Sequence, residues 1–306
     1  MSTAQTPRID LAPRIDLAII GAQKSATTAM QYYLHAHPEV ELPLGELACF
    51  ESPDYEQGRV AQQITWQNPA RDKLYGIKRP TIFCDMLAID RLKDHAPDCK
   101  LIMVCRDPVA RFMSAYFHLM NSGKLPVMDI NKAIDGIFTG SYLSRYAPGL
   151  SLLRNGIYHP ALAHITARYG ADALFAVSHA RISTQFDTVM QELCAFLDIS
   201  HVPAAATQEK REKNRGSYDY RRAAFLKLPN ALKYKYSRDR TRKEFRTSPI
   251  ARFAGGALSR TFSMAPFTRP IAPETVMNDD ARALLKAYYA PDRTRLMQDF
   301  AEIVYW

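Results

Sequence analysis

Apolar residues gather along this chain in short blocks, and between the blocks they recur every three or four positions. Blocks of that kind mark strands buried on both faces, while the wider spacing marks helices with one face turned inward. The clearest block is Lys100 to Cys105, bounded by Asp98 and Arg106. Ile15 to Ile20 ends at Gly21, Ala173 to Val177 is a third block, and Leu74 to Ile77 is a weaker fourth. Helical spacing predicts helices from Thr28 to His35, Pro108 to Met120, Asp187 to Leu197 and Asp279 to Ile303, the last broken at Pro291. Ser25 and Thr27 are the expected caps of the first helix. Strands alternating with helices predict an α/β fold around a largely parallel sheet.

The rhythm lapses between about Thr207 and Pro270, where Gly255-Gly256 and several prolines predict a loop-rich far side. The expected organisation is a single domain over 1–306, with 14–206 and 271–306 as core and 207–270 as a basic helical insertion or lid. Near the start, Pro7 to Ala12 is repeated as Pro13 to Ala18. Two copies do not build a solenoid, and the first reads as a tail.

Charge sharpens this division. The net charge is +9, and the stretch from Thr207 to Arg246 holds 14 Lys and Arg against 5 Asp and Glu. It therefore carries the whole excess, and the other residues balance. A concentration of this kind predicts an anionic partner meeting one region. Five cysteines, an odd number with no CxxC pair, predict buried reduced thiols. The absence of a long apolar run and of a basic-then-apolar leader predicts a cytoplasmic protein with no membrane span.

Two constellations carry chemistry. Gly21-Ala-Gln-Lys24-Ser25-Ala26-Thr27-Thr28 follows a strand and opens a helix. Backbone N–H groups at a helix start bind anions, Lys24 adds a point charge, and Ser25, Thr27 and Thr28 add hydroxyls. The lysine lies three residues after the glycine, so the stretch is not a Walker A loop. The bland alternative is a capped helix with an exposed lysine. Arg106-Asp107-Pro108-Val-Ala-Arg111-Phe-Met-Ser114-Ala-Tyr116 begins where the strongest strand ends, and ligands of open α/β sheets bind at strand carboxyl ends. Ser114 sits about two helical turns further on. The alternative there is an ordinary Asp-Pro turn with surface arginines. His159 and His164 are further candidates without a motif. His35 and His37, two apart on a helix, do not share a face as metal ligands would.

Taken together the two constellations resemble those of the sulfotransferases that use 3′-phosphoadenosine 5′-phosphosulfate (PAPS). The resemblance is nearest to the heparan-sulfate-type and bacterial carbohydrate branch. It implies a P-loop-NTPase-like sheet flanked by helices. Lys24, Ser25, Ala26, Thr27 and Thr28 look like the family's 5′-phosphosulfate loop, with alanine at 26 where the family usually has glycine. Arg106 and Ser114 look like its 3′-phosphate motif, joined by Lys213, Arg215 and Gly216. Glu46-Leu-Ala-Cys-Phe-Glu51 resembles the segment that carries the branch's catalytic glutamate. The lysine usually before that glutamate and the histidine two residues after it are here Gly45 and Ala48. Gly76-Ile-Lys78-Arg-Pro80 is similar to the branch's Glu-Lys-Ser/Thr-Pro segment, whose lysine lies in the active site. Ala281 to Phe300, with Tyr288-Tyr-Ala-Pro-Asp292, resembles the family's C-terminal helix and turn.

The resemblance implies in-line sulfuryl transfer from PAPS to a hydroxyl, less readily an amine, with PAP as product and no metal. Glu46 is then general base, with Lys24 and Lys78 catalytic. Acceptors that fit the charge are an anionic glycan or a lipid-linked substrate, and the resemblance to the bacterial branch adds secondary metabolites. The basic segment, interleaved with aromatics, leaves peripheral membrane contact open. Two rivals stand beside this reading: a P-loop kinase-like transferase, which would need ATP and magnesium, and a disfavoured nucleic-acid-binding protein gripping its ligand with the basic segment.

Overall fold

The computed structural model describes residues 13–51, 55, 64, 72–203, 218–264 and 266–304. They fall into two compact units, one formed by 1–105 with 160–210 and the other by 106–159 with 211–306.

Among the described residues the first unit holds a five-stranded sheet. Strands β1 (Leu17–Gly21), β2 (Val40–Glu41), β3 (Leu74–Lys78), β4 (Lys100–Cys105) and β5 (Leu174–Ser178) lie in the order β2-β3-β1-β4-β5, and every pairing is parallel. β1 and β4 are buried almost throughout, as expected of near-continuous apolar blocks. Helix α1 (Thr27–Ala36) follows β1, α2 (Met86–His95) joins β3 to β4, and α7 (His179–Thr184) and α8 (Phe186–Leu197) follow β5. Met30, Tyr33 and Leu34 of α1 pack with Val189, Met190 and Leu193 of α8 and with Leu17, Ile19, Ile102 and Val104 of the sheet. The chain leaves β1 toward β3 on one side and later adds β4 on the other. The carboxyl ends of β1 and β4 therefore flank a topological switch point, where open sheets place their ligands. Gly21 closes β1 because a Cβ there would stand 2.5 Å from the Phe83 ring.

The second unit is mainly helical. Helix α3 (Pro108–Asn121) starts directly after β4. Asp107 caps it by accepting the Ala110 N–H, and proline opens it, a strong start signal. It is packed by α4 (Ile130–Phe138), α5 (Gly149–Arg154), the short α9 (Tyr220–Phe225) and the long α12 (Asp279–Asp299). Helix α6 (His159–Tyr169) begins at this unit's edge and runs on into the first. Helix α10 (Lys227–Lys233), the hairpin β6 (Tyr234–Tyr236) and β7 (Lys243–Phe245), and α11 (Pro249–Thr261) complete the unit.

Residues 218–264, the described part of the basic helical insertion expected over 207–270, form α9, α10, the β6–β7 hairpin and α11, and pack into this unit through Tyr218 and Ala223, which are buried with Phe117 and Leu285. Two expectations need correction. Gly255-Gly256 is no loop but lies inside α11. A Cβ on Gly255 would stand 2.8 Å from the Pro229 carbonyl and 2.6 Å from Lys233 Cγ, so glycine serves close helix contact. Helix α12 is not broken at Pro291. It runs through to Asp299, held by buried Leu285, Tyr289, Asp292 and Leu296 on both sides of the proline.

Candidate functional site

In the first unit the loop after β1 turns sharply into α1. Lys24 and Ala26 both adopt left-handed backbone, φ 69° and 71°. Ala26 is the N-cap residue and no side chain caps the helix, contrary to the expectation for Ser25 and Thr27. Ser25 is wholly buried, and its hydroxyl has no hydrogen-bond partner among the described residues. Buried hydroxyls are nearly always bonded. An uncapped helix start beside an unsatisfied buried hydroxyl is the constitution of an anion cradle.

Beneath the loop lies a polar cluster. Lys78, at the end of β3, is 5% exposed, and its Nζ donates to Thr28 Oγ1 (3.1 Å) and Gln31 Oε1 (3.0 Å). Glu46 Oε1 lies 3.9 Å from the same Nζ. Burial lowers the Lys78 pKa from the ordinary lysine value; the Glu46 carboxylate opposes this and the Lys24 charge adds to it. Gln31 is buried and donates through Nε2 to the carbonyls of Pro43 (2.8 Å) and Gly45 (2.9 Å). The Leu47 N–H donates to the Lys78 carbonyl at 3.1 Å. α1, β3 and the segment before Glu46 are thus tied together at one end of the sheet.

Glu46 itself is 41% exposed. Arg79 reaches it through Nη1 at 3.5 Å and grips Glu51 with Nε and Nη2, each 2.6 Å from Oε2. Thr81 donates to the other Glu51 oxygen at 3.2 Å. Between Glu46 and Glu51, burial pushes the Cys49 thiol up to about 11. Gln31, Arg79, Glu51 and Thr81 were not singled out from sequence. Gln31 carries a usable signal, because it lies three residues after Thr28 on a helix face otherwise given to Met30, Tyr33 and Leu34.

In the second unit Arg106 begins where β4 ends. Its backbone is bracketed by the Tyr158 hydroxyl, which donates to the Arg106 carbonyl (2.9 Å) and accepts its N–H (3.4 Å). Asp292 in turn accepts the N–H groups of Tyr158 (2.9 Å) and His159 (3.0 Å), so the C-terminal motif anchors the residue that holds Arg106. The Tyr289 hydroxyl donates to the carbonyls of Leu152 and Leu153. Ser114 is buried in α3. Arg111, a surface arginine on the bland reading, is wholly buried and donates to the Leu152 carbonyl.

The four histidines weighed from the sequence have structural partners: His159 with Asp299 (2.7 Å), His164 with Asp90 (3.1 Å), His35 with the Leu42 carbonyl and His37 with that of Ser200. None of the five cysteines forms a disulfide, and all but Cys84 are buried. Lys213, Arg215 and Gly216 lie outside the described residues.

Human heparan sulfate glucosamine 3-O-sulfotransferase 6 is 33% identical over 98 residues, which is 32% of this chain and 28% of that protein. Human heparan sulfate glucosamine 3-O-sulfotransferase 3B1 is 27% identical over 164 residues, 54% of this chain and 41% of that one. The matches thus span less than half of either relative. The crystal structure of a sulfotransferase from Alicyclobacillus acidocaldarius superposes with a TM-score of 0.59 at 17% identity, covering 94% of this chain and 95% of that one, which establishes a shared fold. The family model described as the sulfotransferase domain matches residues 14–243, from the lead-in to β1 to the start of β7, and on that match the chain belongs to the sulfotransferase domain family.

Proposed function

We propose that this chain transfers a sulfuryl group from PAPS to a hydroxyl of an acceptor, with carbohydrates the favoured class. The observation that carries this reading is the end-of-sheet cluster: an uncapped α1 start, the buried unpartnered Ser25 hydroxyl, Lys78 and an accessible carboxylate, Glu46. Lys24, Ser25, Ala26, Thr27 and Thr28 take the 5′-phosphosulfate, and Arg106 and Ser114 take the 3′-phosphate. The acceptor oxygen attacks sulfur in line while Glu46 takes its proton. The new S–O bond forms as the bond from sulfur to the 5′-phosphate oxygen breaks, releasing PAP. Lys24 and Lys78 neutralise the charge growing on the leaving oxygen and the sulfuryl oxygens. These residues position and stabilise, as in phosphoryl transfer. The carbohydrate preference draws on the names of the two human relatives, heparan sulfate glucosamine 3-O-sulfotransferases.

The first test is thermal stabilisation by PAP beside ADP and ATP–magnesium, in wild type and Lys24→Ala. PAP at about 100 times its Kd should add about 2.7 kcal/mol without magnesium, and the substitution should weaken the effect. Stabilisation by ATP–magnesium alone would replace this reading with the kinase-like one. In sulfuryl transfer to an accepted substrate, Glu46→Gln should lower kcat by about two to three orders of magnitude while PAP still binds.

A further inference from the structure

We propose that the outward face of α11 docks on an anionic lipid surface. The helix has two apolar sides. Gly255 faces α10, where its missing side chain admits the Pro229 carbonyl and Lys233. On the opposite side Ile250, Phe253 and Ala257, at the i, i+3, i+7 spacing of one helical stripe, face solvent, and Ile250 and Phe253 are each 81% exposed. Phe245 of β7 and Leu228 of α10 are exposed large apolar side chains of the same unit. The Arg252 guanidinium lies over the Phe245 ring at 4.9 Å, so cation and apolar surface are presented together. Arg260, seven residues after Phe253, lies beside the Phe253 edge of the stripe, and no Asp or Glu occurs from residue 245 to 273.

Bulky apolar side chains held in water at helical spacing, edged by arginine and without acids, are the constitution of an interfacial helix on acidic headgroups. A second copy of the chain would bring like charges together across this face. Nucleic acid would be served by aromatic stacking, which an isoleucine cannot provide.

The test is co-sedimentation of the full chain with vesicles of phosphatidylcholine alone and of an even mixture of phosphatidylcholine and phosphatidylglycerol, at low and high salt. The expected result is association with the mixed vesicles only, weakened by salt, and reduced about tenfold or more by the Ile250→Ser/Phe253→Ser double variant. Both side chains are exposed, so the melting temperature of the variant should match wild type and exclude misfolding as the cause. Equal binding by wild type and variant, or no binding to the mixed vesicles, would overturn the proposal. A dimer of the wild type in light scattering that the double variant dissolves would reassign the face to a second copy. Binding does not depend on turnover, so this result stands apart from the outcome of the PAP experiment.

Discussion

At Ala26 the backbone adopts a conformation that costs an L-residue about 1–2 kcal/mol. Glycine, the usual residue there in the resembled family, relieves that cost and returns part of it as unfolded-chain entropy. Ala26→Gly is therefore expected to raise stability by roughly 0.5–1 kcal/mol, read from the urea midpoint at constant m-value. Arg79 presents a second residue-scale consequence. The lysine that commonly precedes the catalytic glutamate is Gly45 here, and a guanidinium from β3's end reaches both Glu46 and Glu51. On the proposed reading Arg79 positions Glu46. Arg79→Ala should lower kcat about ten- to a hundredfold with little change in PAP binding. Arg79→Lys keeps the charge without the planar fork and should restore part of the rate. The Lys24 loop, Glu46 and Lys78 were legible because backbone turn, charge and hydroxyls sit in one short stretch or in a recognisable segment. Arg79 was not, because its partners Glu51 and Glu46 are 28 and 33 residues away along the chain, and the bond that ties Gln31 to Lys78 spans 47.

At the scale of elements, β1 and β4 were readable because parallel strands buried on both faces are nearly pure apolar blocks, and the edge strand β5 was readable because Leu174 to Val177 is an apolar run although most of it is only partly buried. The helices of the second unit escaped notice where they are too short to show a helical period, as in α9 and α10 with six and seven residues. Pro291 misled because proline usually ends a helix. Here tertiary anchors on both sides outweigh one lost backbone bond. Gly255 misled for the converse reason: its value lies in contact with α10, which no local pattern encodes. Gly255→Val should force α10 and α11 apart and cost about 1–3 kcal/mol, visible as a lowered Tm. Gly256, with nothing within 4 Å of an added Cβ, is the matched control, and Gly256→Ala should be neutral or stabilising.

For the whole molecule, the buried Lys78 ammonium links folding to pH. Its pKa is lowered in the folded chain, so between that lowered value and the unfolded value of about 10.4 the unfolded state holds the extra proton. Unfolding then takes up a proton, and the stability of wild type relative to Lys78→Met should rise with pH through that window and level off above it. Urea unfolding of both proteins at a series of alkaline pH values measures the slope. A relative stability that falls through the window would contradict the burial of a charged lysine. The concentration of positive charge between Thr207 and Arg246 was evident from the sequence. Its structural setting was not, because membership of a compact unit depends on long-range packing such as that of Tyr218 against Phe117.

The order of strands also has a bearing on how the chain is made. β1 is the central strand and the first to leave the ribosome, yet Leu17 pairs with Gly76 on one side and Lys100 on the other, and the sheet's last strand ends at Ser178. The apolar block that carries the Lys24 loop must wait, unpaired, for chain synthesised much later. Non-local parallel pairing of this kind is slow and leaves apolar segments exposed to aggregation. Heterologous yield should thus respond more to lowered temperature and chaperone supply than native-state stability alone would suggest.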